Sequence, residues 1–202
     1  MQAPEIELKF PVNDPKSLQN LLPTFGFNLV TARTFEQNTL YDTPARELRQ
    51  RREILRIRQY GHLCTVTHKR LSNQEPVDTT RYKIRIETET IVAEGAALAE
   101  IFHQIGYDPV FVYEKYRTEW SFALEAAGTA HLVIDETPIG NYAELEGPTD
   151  WIDRTLALLG VGHAVCLTDS YGKLFLDWKQ RTGSSAENLT FAEIGAPVLA
   201  QG

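Results

Sequence analysis

Five residues near the N-terminus, Glu5-Ile6-Glu7-Leu8-Lys9, alternate charged and apolar side chains. Residues two apart on a β-strand project from one face, so this segment sets two acids and a base opposite an apolar side. The pattern recurs along the chain. Arg56 and Arg58 share a face in I-L-R-I-R, and Thr65, Thr67 and Lys69 share one in T-V-T-H-K. Arg81, Lys83, Arg85, Glu87 and Glu89 align in R-Y-K-I-R-I-E-T-E, and Lys115, Arg117 and Glu119 in Y-E-K-Y-R-T-E-W. Asp135 stands opposite Leu132 and Ile134, while Glu144 and Glu146 flank Leu145. Acids clustered beside bases suit a ligand that carries both signs. Hard divalent cations take carboxylate oxygens, with Mg²⁺ using one or two of them plus water and phosphate oxygens. Arg and Lys neutralise what phosphate charge remains. A polyphosphate with Mg²⁺ or Mn²⁺ fits that description, and the chemistry implied is metal-assisted phosphoryl transfer.

Any one of these strands also reads as an ordinary solvated face carrying weak cross-strand ion pairs. Two features favour a common interior instead. Most strands carry two or more charges in register, and helices with apolar stripes are available to cover the opposite faces. A sheet that closes into a barrel, charged inside and apolar outside, satisfies both.

The elements that position these residues can be read from periodicity. Strands are predicted over Glu5–Phe10, Phe35–Tyr41, Ile54–Tyr60, Leu63–Lys69, Tyr82–Val92, Phe111–Leu124, His131–Glu136 and Tyr142–Glu146, with turns at Gly61-His62 and Gly128-Thr129. Asp14-Pro15 opens a helix carrying Leu18, Leu21 and Leu22 that Gly26 stops. Further stripes run through Leu98, Ile101, Phe102 and Ile105 to Gly106, and from Thr149 through Trp151, Leu156 and Leu159 to Gly160. A short helical turn is expected over Ala45–Arg52, and Thr168-Asp169 caps a last helix with Tyr171, Leu174, Phe175 and Trp178. The fold class is α+β on an antiparallel sheet. Phe25-Gly26-Phe27 and Ile105-Gly106-Tyr107 each precede strands and hint at internal duplication.

The 202 residues fit one domain, 1–180, followed by a polar and then mildly apolar tail, 181–202, read as a peripheral arm. A net charge of −7 argues against a nucleic-acid binder held by phosphate contacts. No stretch approaches the roughly 18 apolar residues of a membrane span. The charged N-terminus lacks a secretory core, so a cytoplasmic protein is expected, monomeric or homodimeric. Cys64 and Cys166 show no metal spacing and read as buried free thiols.

Taken together, the charged segments resemble the CYTH, or triphosphate tunnel metalloenzyme, superfamily. Glu5-Ile6-Glu7-Leu8-Lys9 is similar to its ExExK signature, and Y-D-T-P, L-R-I-R, T-H-K, R-I-E-T-E, E-K-Y-R, V-I-D-E-T-P-I-G, E-L-E and S-Y-G-K follow in order to about Lys173. The resemblance implies a closed barrel of about eight antiparallel strands around a tunnel, with helices outside. It places Glu5, Glu7, Glu144 and Glu146 as metal ligands, with Asp135 beside them. Lys9, Arg56, Arg58, Lys69, Arg85, Lys115 and Arg117 become the triphosphate grip, Lys173 a looser match, and Glu87 or Glu89 a further tunnel acid. Lys9, Arg117 and Asp135 are the catalytic candidates. The implied activity is divalent-metal-dependent hydrolysis of a small triphosphate (inorganic, thiamine or nucleoside). The superfamily also contains class IV adenylyl cyclases, which make cyclic AMP and pyrophosphate from ATP, and a binding module without turnover is a third reading. The H-F segment associated with the cyclases is missing ahead of ExExK, where Ala3-Pro4 stands.

Other charged residues take plainer readings. Arg51, Arg52 and Glu53 are expected as solvated helix-end charges, and Arg81 and Lys83 as solvent-facing at a strand mouth. Tyr41–Pro44 reads as a structural turn. None of the five histidines has ligand spacing, and His68 is expected to pack on the core face.

Overall fold

The apolar partners of those charges, Leu8 and Phe10 on the first strand and Leu132, Ile134 and Leu145 further on, are almost fully buried in a single cluster with Trp151, Ile152 and Leu156. Strands with that alternation must put their charges on the other side. In the computed structural model, which describes residues 5–71, 81–124 and 128–195, they do so by closing a barrel. Its strands are β1 (Glu5–Pro11), β2 (Asn28–Asp42), β3 (Ile54–Tyr60), β4 (Leu63–Leu71), β5 (Lys83–Ile91), β6 (Asp108–Leu124), β7 (Gly128–Thr137) and β8 (Gly140–Glu146). They run β1-β5-β4-β3-β2-β6-β7-β8 around the barrel, every neighbour antiparallel. Among the described residues, no helix is long and apolar enough to cross a membrane.

Helices cover the outside. α1 (Pro15–Leu21) starts at Asp14, whose carboxylate accepts from the backbone N–H groups of Lys16 and Ser17. α3 (Gly95–Gln104) lays Phe102 on Tyr41, Ile57 and Cys64, outside β2, β3 and β4. α4 (Thr149–Leu158) supplies Trp151, Ile152 and Leu156 to the main core. α5 (Tyr171–Thr182) brings Tyr171 and Phe175 against Tyr113, and the short α2 (Glu47–Gln50) and α6 (Phe191–Ile194) complete the set.

Gly26 and Gly106 both take the left-handed conformation (φ 86° and 91°) that lets a helix end and a long strand begin. They precede β2 and β6, which pair with each other along most of their lengths. Exchanging β1–β4 with β5–β8 maps the strand order onto itself, so the two halves repeat one topology around the barrel.

Several boundaries differ from the periodicity. β2 begins at Asn28 and not Phe35, because its first half alternates little and is mostly exposed. Gly128 and Thr129 already belong to β7, so the turn they were expected to make lies outside the described residues. Ser170, and not Thr168-Asp169, caps α5, its side chain accepting from the Lys173 N–H. The turn over Ala45–Arg52 narrows to Glu47–Gln50, while Asp42 behaves as the structural residue expected, accepting from the backbone N–H groups of Thr43, Leu48 and Arg49.

Two seams need filling. β1 and β5 pair over only three residues, and beyond them the backbone of Lys9 exchanges hydrogen bonds with Leu167. β6 extends past β7, and there Asn188–Thr190 lies along its free edge, with Leu189 completely buried. Both cysteines are free; Cys64 is buried and Cys166 only half-buried, since it lies on the loop before α5.

Candidate active site

The inward faces of all eight strands line one cavity of about 440 Å³. That size falls in the roughly 300–1,000 Å³ range of small-ligand sites. Seven Lys or Arg and seven Glu face it. Six of the seven acids gather in one sector, where Lys9 and Lys83 also lie, while Glu119 sits on β6. Glu5 and Glu7 on β1, Glu87 and Glu89 on β5, and Glu144 and Glu146 on β8 occupy one sector, because β1 lies between β5 and β8. Arg56 and Arg58 on β3 and Lys115 and Arg117 on β6 occupy the facing sector, on either side of β2.

The α5 end meets this wall. Lys9, 2% exposed, points its ammonium at the Tyr171 ring (3.8 Å to the centroid), the Asp169 carbonyl (3.2 Å) and Glu144 (3.0 Å). Ser170, Tyr171 and Gly172 line the cavity beside it.

Most charges are paired across strands. Lys69 Nζ lies 2.9 Å from Glu5 and 2.6 Å from Glu87, and Lys83 binds Glu7. Arg117 Nη2 donates to Glu144 at 2.9 Å, and Arg56 reaches Thr67, Glu89 and the Tyr113 hydroxyl. Among the described residues, Glu146 has no ion pair. Burial and the neighbouring Glu7 push its carboxyl above the usual range. Burial and a hydrogen bond with Glu87 push Glu5 up to about 8 despite Lys69. Burial would also raise Glu7 and Glu144, but Lys83 holds the first below the usual range and Lys9 and Arg117 hold the second well below it.

Two further acids lie behind the wall, each completely buried. Asp135 binds Arg117 with both oxygens (2.7 and 2.6 Å) and also accepts from Lys115 (2.8 Å) and the Tyr171 hydroxyl (2.6 Å). Asp135 is absent from the cavity lining, where the sequence had set it beside the metal ligands, and here both of its oxygens anchor two cations. Glu36 on β2 does the same from the opposite side, accepting from Arg58 at 2.7 Å.

Of the residues singled out by sequence, the structure brings together Glu5, Glu7, Lys9, Arg56, Arg58, Lys69, Glu87, Glu89, Lys115, Arg117, Glu144 and Glu146. It leaves out Lys173, whose ammonium pairs with Asp177 on the exposed side of α5. Arg85 is half-buried but does not line the cavity, its guanidinium reaching the Ile84 carbonyl. Lys83, expected in solvent, points inward, whereas Arg81 does stay outside with Asp153. His68 is not packed in the core: its ring is 40% exposed and meets Glu53 at 3.3 Å. The sequence reading missed Glu36, Tyr113, His131 and Tyr171. Tyr113 and His131 share strand parity with Lys115 and Asp135, and Tyr171 shares a helix face with Leu174 and Phe175; Glu36 had no such companion on β2.

A model of the CYTH domain matches residues 3–155, and the chain belongs to that family. No curated protein matches it. Solved structures of similar fold include a candidate adenylate cyclase from Vibrio parahaemolyticus, 20% identical with a TM-score of 0.71, covering 87% of this chain and 99% of that one. A Pyrococcus horikoshii protein is 22% identical with a TM-score of 0.66, over 86% and 99% of the two chains. A Hippeastrum protein, described as a candidate adenylyl cyclase with a dominant triphosphatase activity, is 16% identical with a TM-score of 0.58, over 88% and 96%.

Proposed function

We propose that the chain hydrolyses a small triphosphate, releasing the terminal phosphate, with a divalent cation as cofactor. One observation carries this. Arg56 and Arg58 each bury an Nε–H that has no acceptor among the described residues, in the wall of a cavity walled by cations on one side. Buried donors are costly when unpaired, and phosphate oxygens are the natural partners of guanidinium groups. With every group ionised, seven cations against seven acids leave the lining with no net attraction for a polyanion by itself. A divalent cation on the acidic side changes that balance.

The acidic sector fits such an ion by its donor chemistry. Glu7 and Glu146 are register partners on β1 and β8, Glu5 and Glu144 flank them, and the raised carboxyls of Glu5 and Glu146 are ones a cation would return to the ionised form. Among the described residues no three such side chains converge into a finished cage. Mg²⁺ does not need one, since water and phosphate supply most of its shell. Mn²⁺ suits the same carboxylate and water donors. When bound, the ion supplies charge neutralisation on phosphate oxygens and a lower pKa for coordinated water. Arg56 and Arg58 then hold the phosphate chain, while Lys69, Lys115 and Arg117 stabilise charge on the group being transferred. Lys9, fixed by Glu144 and the Tyr171 ring, closes that row.

The test is to incubate the protein with Mg²⁺ or Mn²⁺ and tripolyphosphate, thiamine triphosphate or ATP, and to separate the products. Orthophosphate is expected. Pyrophosphate with cyclic AMP would assign it to the cyclases, the description attached to the Vibrio neighbour of this fold. Unchanged ligand with thermal stabilisation would make it a sensor.

A further inference from the structure

Glu36 is completely buried on β2, yet it is ringed by cations from both adjacent strands. Its Oε2 lies 2.7 Å from Arg58 Nη2 on β3 and 3.8 Å from Arg117 Nε on β6. Its Oε1 lies 3.3 Å from Lys115 Nζ on β6 and accepts from Asn38 Nδ2 at 2.8 Å. Arg56 adds a longer-range attraction from β3. Three of the six cations proposed to face phosphate therefore converge on one carboxylate that is not part of the cavity lining.

Holding strands together does not explain it. Backbone ladders already join β2 to β3 and β6 through these rows, with Asn38 opposite Arg58 and Glu36 opposite Lys115. A buried ion pair seldom outperforms well-packed apolar side chains of the same volume. An acid behind an anion site also works against anion binding. Its effect must be on the cations themselves: it cancels one of their charges and fixes where their heads point. Asp135 meets Lys115 and Arg117 from the β7 side, so those two are strung between buried acids, while Glu36 is the shorter of Arg58's two carboxylate contacts, Glu119 being 3.6 Å away.

We infer that Glu36 is a positioning residue that orients Arg58, Lys115 and Arg117 for phosphate and weakens their hold enough for phosphate to leave. This rests on the triphosphate reading above. Two variants separate its charge from its shape. Glu36→Gln keeps the size and removes the charge; its affinity for the imido analogue of tripolyphosphate, measured calorimetrically with Mg²⁺, rises by about tenfold, a conservative figure for one nearby buried charge. Its kcat on tripolyphosphate falls, because orientation is lost and product is retained. Glu36→Asp restores the charge but not the reach, so affinity returns to the wild-type value while kcat stays at least about tenfold low.

Opposite changes in affinity and kcat for Glu36→Gln, with affinity restored by Glu36→Asp, support the inference. Affinity and kcat that both match wild type would overturn it, as would affinity that falls in step with melting temperature in both variants, which marks a merely structural acid. If Glu36→Gln does not fold, Glu36→Asp decides: wild-type affinity with reduced kcat supports, and parallel loss overturns. A wild-type chain that binds the analogue but does not hydrolyse tripolyphosphate would sink the hydrolase reading alone, since the affinity arm still decides the role of Glu36. A wild-type chain that does not bind would sink both.

Discussion

Glu5 on β1 and Glu87 on β5 share a single ammonium, that of Lys69, which lies 2.9 Å from one and 2.6 Å from the other. Glu87 has a second, longer contact with Arg56 at 3.8 Å, whereas Lys69 is the one ion-pair partner of Glu5 among the described residues. Burial and the hydrogen bond to Glu87 lift Glu5 to about 8, while Glu87, although partly buried, is held below the usual range by Glu5 and Lys69. Glu89, two residues along, accepts from Thr67 and shares Arg56 with Glu87, so both acids face the tunnel and Glu87 is the one coupled to the ExExK strand.

The sign of the resulting pH dependence follows from that raised value. The folded chain binds the Glu5 proton more tightly than the unfolded chain, whose carboxyl titrates near the ordinary 4.5. Metal-free stability contributed by Glu5 is therefore greatest below 4.5 and is lost as pH rises toward about 8. Glu5→Gln removes this loss. In metal-free buffer, its melting temperature relative to wild type should climb between pH 5 and 8, roughly the interval between the two values. Mg²⁺ should flatten the wild-type curve and leave the variant's unchanged. A difference that does not vary with pH would contradict the shared-proton arrangement.

The metal assignment has its own test. A Glu5→Gln, Glu7→Gln double variant should lose divalent-ion binding by calorimetry and metal-dependent phosphate release, by at least about a hundredfold, as expected where carboxylates supply an ion's protein ligands. Full phosphate release would refute that role for the pair.

Asp135 anchors Lys115, Arg117 and Tyr171 at once, with no exposure to solvent. Asp135→Asn leaves two buried cations short of a counter-charge, and breaking such a set costs about 3–5 kcal/mol. Chemical denaturation should report a loss of that size. Tyr171→Phe keeps the ring under Lys9 and deletes one hydrogen bond to a charged acceptor, a loss of about 1.5–3 kcal/mol. If Asp135→Asn cost less than Tyr171→Phe, Asp135 would not be the hub of this network.

Lys173 gives a prediction of the opposite kind. Its ammonium is outside the barrel and paired with Asp177, on the exposed side of a helix that turns only its N-terminal residues toward the cavity. Lys173→Ala should leave KM for triphosphate and kcat unchanged within about twofold, since its exposed ion pair is screened by solvent and it does not line the cavity. A large rise in KM would bring Lys173 back into the site.

What the sequence disclosed depended on contrast between the two faces of a strand. β1, β3 and β8 put charge against Leu or Ile, so period two was plain and the inward set could be named. Glu36 escaped because its own strand lacks that contrast: Phe35 and Gln37 are both exposed, and the outer face of β2 looks no more apolar than the inner one. Lys83 looked like a mouth residue because β5 was read from Tyr82, and which end of a strand lies inside depends on register with β1, which pairs over only three residues. Asp135 was singled out beside the acidic cluster, but it lies behind the cavity wall. Parity says which face a residue takes; it does not say whether neighbouring side chains reach over it, and Lys115, Arg117 and Tyr171 do. Lys173 lies off the cavity, paired with Asp177, because motif position carries a residue along the chain but does not fix which side of α5 it occupies.

The C-terminal segment read as a peripheral arm also has a measurable role. Leu189 is completely buried among Tyr113, Tyr171 and Phe175, and its backbone exchanges hydrogen bonds with Val112 and Glu114 along the edge of β6 that β7 leaves open. Glu193 holds the approach by accepting from the backbone of Glu187 and Asn188 and from the Asn188 amide. An unpaired edge in a closing barrel is a weak point, and this segment covers it. Tyr113 links it to the site, since its hydroxyl meets Arg56 at 3.3 Å and its ring stacks on Tyr171 at 5.7 Å. Leu189→Ala should therefore cost about 2–5 kcal/mol, as for other fully buried leucines, and raise KM for triphosphate by loosening Arg56. Glu193→Ala, which leaves the buried contacts in place, should cost less and spare KM. Unchanged stability in the Leu189 variant would show that β6 holds its edge without this segment.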